Sequence, residues 1–280
     1  MQKIKLSMSS WSYHPLFVCG ELSQIEWIKL CKKLGLDGVE LLDIHFPSLK
    51  PGYLNELRGL LAGLGLEVAC CSVSNDFGKA SKKEREESEK LVERWIELAR
   101  FFETRILRIF AGWPGEQNPE KYPSEKARLW QEMIQRIKRL AQKAERAGVV
   151  LALENHNHLG FTRSADDLLK ILKEVNSPNL KVCLDTGDYL VDTAEINGFS
   201  AFERILPYAH IIHAKFYQAD EQKGDLKQDW DKIFALILEK GYNGYLSIEY
   251  EGENPQRDVE LAVRFLQNKI LSEKQEGQDG

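Results

Sequence analysis

The sequence has no apolar run near the ~18 residues that a transmembrane helix needs. Its opening, MQKIKLSMSSWSYH, holds no apolar stretch of secretory length, so a cytoplasmic chain is expected. Five cysteines form neither a CxxC pair nor a zinc-finger spacing, which argues against a thiolate metal knuckle. Cys70, Cys71 and Cys183 lie inside apolar runs and read as small buried hydrophobes in a reducing compartment. No GxGxxG follows the first strand and no GxxxxGK[ST] occurs, which removes the main reason for a Rossmann or P-loop reading. There is no basic excess either: 43 acidic against 38 basic residues give a net charge of −5, poor for general polyphosphate binding. Histidine is scarce, with six in all, four of them in two short segments.

What is present is ample core material, 43% hydrophobic and 29% charged over 280 residues, which excludes disordered and fibrous classes. Length alone suggests about two domains at ~150 residues each, but a single α/β barrel commonly runs to ~250. Strand-length runs rich in Val, Ile, Leu and aromatics recur at 4–10, 38–44, 67–73, 105–111, 149–155, 180–185, 210–216 and 244–250. Helical patterns separate them over 23–34, 51–64, 82–102, 124–147, 164–175, 201–206, 229–240 and 256–270. Eight βα units predict a parallel sheet closed into a (β/α)8 TIM barrel over residues 1–270, followed by a polar tail at 271–280.

In such a barrel the chemistry sits at the C-terminal ends of the strands. The fifth run ends in Glu154, the sixth in Asp185 and the eighth in Glu249, while the seventh carries His210, His213 and Lys215. Alternation forbids an extended strand from aiming both His210 and His213 inward, and His213 is nearer the working end. His210 is expected outside or at the opposite rim. Two Glu, one Asp and one His form an oxygen-rich set that suits Mn²⁺, Mg²⁺ or Co²⁺ better than a structural thiolate zinc site. Adjacent carboxylates without a cation would repel strongly.

The segments WSYHPLF, GLDGVEL, LRIFAGWP, LALENH, VCLDTGD, HIIHAKFY and GYNGYLSIEYEGE, in this order, resemble the xylose isomerase-like barrels of the sugar phosphate isomerase/epimerase group. The resemblance implies one divalent ion (Mn, Mg, Co or Zn) on Glu154, Asp185, His213 and Glu249. It implies that Glu154 and Glu249 also serve as catalytic acid and base, passing a proton at a carbon beside a carbonyl through a metal-stabilised enediolate. The implied activity is a sugar or sugar-phosphate isomerase or epimerase. The alternative is a lyase with the same site, inosose dehydratase-like or C-glycoside cleaving. Remoter alternatives are an endonuclease IV-type phosphodiesterase or a non-catalytic sugar-binding protein.

Substrate-binding candidates at the rim are His14, Trp113, His156, Asp188, Lys215 and Arg108. Trp113 is suited to stack on a sugar face, His156 to orient Glu154 or shape the pocket, and Lys215 to neutralise an oxyanion. Arg108, inside an apolar strand, is expected to pair with a barrel carboxylate such as Glu40. His45 and His158 read as loop residues. Many relatives carry His or Asn where this chain has Asp188, and a carboxylate there weakens the case for a phosphorylated substrate. The expected partner is a small sugar or polyol, with neither nucleic acid nor membrane, and a homo-oligomer is left open.

Overall fold

A computed structural model describes residues 4–114, 122–157 and 159–276. Eight parallel strands form its sheet: β1 (Lys5–Ser9), β2 (Gly38–Leu42), β3 (Glu67–Ser72), β4 (Ile106–Ile109), β5 (Val150–Glu154), β6 (Leu180–Asp185), β7 (Ala209–Phe216) and β8 (Tyr245–Tyr250). Their hydrogen-bonded order closes on itself, β1-β8-β7-β6-β5-β4-β3-β2, so each strand neighbours the one before it in sequence and the last neighbours the first. One major helix follows each strand: α1 (Gln24–Lys33), α2 (Pro51–Leu64), α3 (Lys82–Phe101), α4 (Tyr122–Ala147), α5 (Ala165–Val175), α6 (Gly198–Ile205), α7 (Trp230–Glu239) and α8 (Pro255–Glu276). This is the (β/α)8 barrel that the sequence pattern predicts.

Two compact units make up the chain, Met1–Ala69 with His213–Gly280, and Cys70–Ile212. In the first, β1 pairs with β8 in the register Ser7↔Ser247 and with β2 in the register Ser9↔Glu40. Alternation then separates a polar face, with Ser7, Ser9, Glu40, Ser247 and Glu249, from an apolar one, with Met8, Val39, Leu41, Leu246 and Ile248. All ten are buried. Trp27, Ile28 and Cys31 of α1 and Val259, Val263 and Leu266 of α8 add to the buried apolar set, and α1 and α8 pack on β2 and β8. Ser23 opens α1 with a reciprocal capping box to Glu26, satisfying backbone donors that the first turn leaves free.

In the second unit β3, β4, β5 and β6 run in parallel, with Ser72↔Arg108, Arg108↔Ala152 and Ala152↔Lys181 in register. Helix α3 buries Val92, Trp95, Ile96, Leu98 and Ala99, a stripe at 3–4 spacing that faces the core. Its charged run is not wholly solvated. Arg85 is buried and reaches Glu132 of α4 at 2.8 Å, and Glu89 joins Arg136 and Arg139.

Helix α8 continues to Glu276, so the stretch expected to be a polar tail from 271 begins as helix. Glu, Lys and Gln are good helix formers and need no apolar face to extend an existing helix. The final four residues, like His158, lie outside the described residues. The sequence pattern also gave no sign of a short helix at His14–Cys19, a ribbon pairing Ala219–Asp220 with Gly224–Asp225, or a π-helical turn at Asp188–Asp192.

Loops after β3 and β4 are tied by one carboxylate. Asp76 Oδ1 accepts from the backbone N–H of Gly78 at 2.7 Å and of Trp113 at 3.0 Å. Gly112 closes this knot at φ +110, and a Cβ there would lie 2.3 Å from both Asp76 Oδ1 and Gly78 N. Gly112→Ala is therefore expected to cost on the order of 3 kcal/mol in urea unfolding. Gly148→Ala, at φ +70 with nothing within 4 Å of its Cβ, should cost only about 1 kcal/mol. Equal losses would show that the knot contributes nothing.

Candidate metal centre and its surroundings

In the first unit the polar face of β7 and β8 carries the charge. His213 is fully buried. Its Nδ1 lies 3.0 Å from Glu249 Oε2, and its Nε2 lies 3.1 Å from both oxygens of Glu40. Ser247 Oγ donates to Glu40 Oε2 at 2.6 Å. Lys215, two residues beyond His213 and on the same face, donates to Glu249 Oε1 at 2.9 Å and lies 3.2 Å from Glu251. Glu251 also accepts from Trp11 Nε1 at 2.8 Å. Burial by itself would raise the Glu249 pKa, but the Lys215 ammonium and then His213 outweigh it and hold the carboxyl well below the usual range. His210 is exposed, as alternation requires.

In the second unit Glu154 ends β5 with its carboxylate 3.0 Å from Arg108 Nε, both side chains buried. Glu154 is thus a barrel carboxylate partner of Arg108, the kind of pairing expected from the sequence. Arg108 also donates to the Val73 carbonyl at 3.1 Å and lies over the Phe110 ring, 4.1 Å from its centroid. Asp185 ends β6. The Asn155 amide spans the neighbouring backbones, donating to Asp185 O at 3.0 Å and accepting from Asp185 N at 2.8 Å. Asp185 Oδ1 accepts from the Asp188 N–H at 2.9 Å, where the π-helical turn begins. Asp188 is itself buried. Trp113, Phe110 and His156 form an aromatic wall with centroids 4.8–5.2 Å apart. Trp113 Nε1 lies 3.4 Å from His156 Nδ1.

A second aromatic stack follows β1. Trp11 stacks on His14 with centroids 4.2 Å apart, and Phe17 stacks on His45 at the same distance. His14 Nδ1 meets His45 Nε2 at 2.9 Å, and His45 Nδ1 meets Ser10 Oγ at 2.7 Å. The sequence reading leaves His45 in a loop, yet it is 7% exposed and links the segments after β1 and β2. No local motif could have signalled this, because its partners lie 31 and 35 residues away.

The chain belongs to the xylose isomerase-like TIM barrel family, whose sequence model matches residues 28–269. It is 25% identical over 283 aligned positions to the 3-dehydroshikimate dehydratase of Bacillus anthracis, covering 89% of this chain and 93% of that one. The fold is similar to that of 3-keto-D-glucoside 4-epimerase from E. coli, with a TM-score of 0.76 and 17% identity over 95% of this chain and 100% of that one. It is also similar to a xylose isomerase-like TIM barrel protein from Mycobacterium smegmatis in complex with magnesium, with a TM-score of 0.70 and 18% identity over 96% of this chain and 97% of that one. Among the described residues no helix is long and apolar enough to cross a membrane.

The His45 environment has a consequence for stability. Burial first, and then repulsion from His14, lowers its pKa from 6.5 to about 4. The unfolded chain therefore takes up a proton that the folded one refuses. The stability carried by neutral His45 is complete above pH 6.5 and is lost as the pH falls toward 4. Urea midpoints of the wild type should drop across this window more than those of His45→Gln. Parallel pH profiles for the two proteins would refute the coupling.

Proposed function

We infer that the chain is a divalent-metal-dependent enzyme that moves a proton at a carbon beside a carbonyl in a sugar or related polyol, as an isomerase or epimerase. The observation that carries this reading is the donor set. Glu154 and Asp185 in the second unit and His213 and Glu249 in the first stand on four consecutive strands of the closed order, and all four are buried. Three carboxylates gathered out of water are costly unless a cation offsets their repulsion. Hard oxygen donors with one imidazole nitrogen fit Mn²⁺, Mg²⁺, Co²⁺ or Zn²⁺.

When bound, such an ion supplies Lewis-acid polarisation of a carbonyl and charge stabilisation of the oxyanion that forms. The rest falls to the side chains. Glu249 beside Lys215 and Glu154 beside Arg108 are the proposed pair that takes the proton and returns it. Lys215 adds positive charge where an oxyanion develops. Trp113, His156 and His14 are the proposed contacts to the substrate's apolar face and hydroxyls. The buried Asp188 carboxylate favours an unphosphorylated substrate, since a phosphate there would meet like charge.

A second reading has its own support. The 25%-identical Bacillus anthracis relative is a dehydratase, and the same base could start an elimination instead of a reprotonation. Both begin with loss of one carbon-bound proton, so one experiment addresses them together. Incubation with keto-sugars, inososes and dehydroshikimate in D₂O plus Mn²⁺ should give either solvent deuterium in recovered sugar or an unsaturated product. Stripping the metal should abolish the reaction. Glu154→Gln and Glu249→Gln should each slow it by about 10²–10⁴-fold. Full activity in chelator, or in either variant, would sink both readings.

A further inference from the structure

We propose that Glu40 is a positioning residue that fixes the tautomer and orientation of His213, so that Nδ1 presents its lone pair to the metal. The inference rests on the reading of His213 as a ligand. A neutral imidazole has one nitrogen carrying hydrogen and one free to bind, and the hydrogen bond made by the first decides which is which. In this chain the two nitrogens face different carboxylates. Nδ1 points at Glu249 Oε2, itself a proposed ligand, across 3.0 Å. Nε2 points away from it at Glu40, equidistant from both oxygens at 3.1 Å. A proton on Nε2 shared by the two Glu40 oxygens leaves Nδ1 free on the side of the other ligands.

Glu40 is well built for this task. It is fully buried in the middle of β2, where an ionised carboxylate is expensive unless its bonds serve a purpose. Ser247 on β8 donates to Oε2 at 2.6 Å, so the carboxylate cannot rotate freely away from the ring. Ser9 beside it in register, and Ser7 and Ser247 one level down, are small. They leave the glutamate room to extend across the face of the sheet. The negative charge behind the ring also makes Nδ1 a stronger donor to a cation.

The test is titration calorimetry of the full-length metal-free protein with Mn²⁺ alone, comparing wild type, His213→Gln, Glu40→Gln, Ser247→Ala and the Glu40→Gln/Ser247→Ala double variant. Wild type should bind one ion, and His213→Gln should bind far more weakly. Glu40→Gln should weaken binding about 10–100-fold. Ser247→Ala should weaken it about threefold, and should add nothing in the Glu40→Gln background, because it acts through the same carboxylate. The cobalt(II)-loaded Glu40→Gln protein should also show a shifted ligand-field spectrum. Thermal unfolding of each metal-free variant identifies any that fails to fold; if Glu40→Gln does, Ser247→Ala decides. Wild-type affinity and spectrum in whichever of these folds would overturn the positioning role. Wild-type affinity in His213→Gln would instead overturn the metal site itself.

Discussion

Burying a carboxylate is the cost around which this chain is arranged. Glu154, Asp185 and Glu249 lie out of water at the working ends of their strands, and Glu40 is buried in the middle of β2. Ionised carboxylates in that setting persist only where cations or donors meet them. Each has its own arrangement: Arg108 for Glu154, Lys215 for Glu249, Ser247 and His213 for Glu40, and a backbone N–H for Asp185. None of these partners is next to its carboxylate in sequence. For Glu40, Glu154 and Glu249 the partners are at least 34 residues away, so the fold must form before these charges are compensated, which makes a correctly closed sheet a condition of tolerating them.

The same compensation bears on the proposed chemistry. A carboxylate that must take a proton and give it up needs a defined orientation and a defined charge. Arg108 and Lys215 each engage one oxygen of their glutamate. Whether a carbanion so formed is reprotonated or expels a neighbouring group depends on what the substrate carries next to it. One proposed constellation could therefore serve either an epimerisation or a dehydration.

Much of the architecture was legible in the sequence because it depends on period alone. Apolar runs such as VVLALE and LKVCLD, glycine stops at Gly65 and Gly148, and the 3–4 stripe around Trp95 are local signals, and they became β5, β6, the ends of α2 and α4, and the buried face of α3. Glu154, Asp185 and Glu249 are picked out as candidates for a related reason, since a charged residue at the end of an apolar strand stands out without any knowledge of its neighbours, and alternation selects His213 over His210. Glu40, His45 and Ser247 are not, because their roles come from pairings 31 to 207 residues apart. The α3 charges are a similar case. Period marks Arg85 and Glu89 as surface, but α4 happens to lie against them with Glu132 and Arg136 in reach.

Asn155 carries a consequence beyond its two hydrogen bonds. Its amide copies the donor and acceptor of a peptide group and continues the pairing of β5 with β6 by one rung past the point where the strands part. The spacing of the Glu154 and Asp185 backbones is thereby set by sheet geometry, not by the loops that leave them. Those loops can then differ in length, and in the side chains they hold over the substrate, without retuning the separation of the two carboxylates. A cheap rung of this kind would let specificity change while the proposed reactive centre stays calibrated.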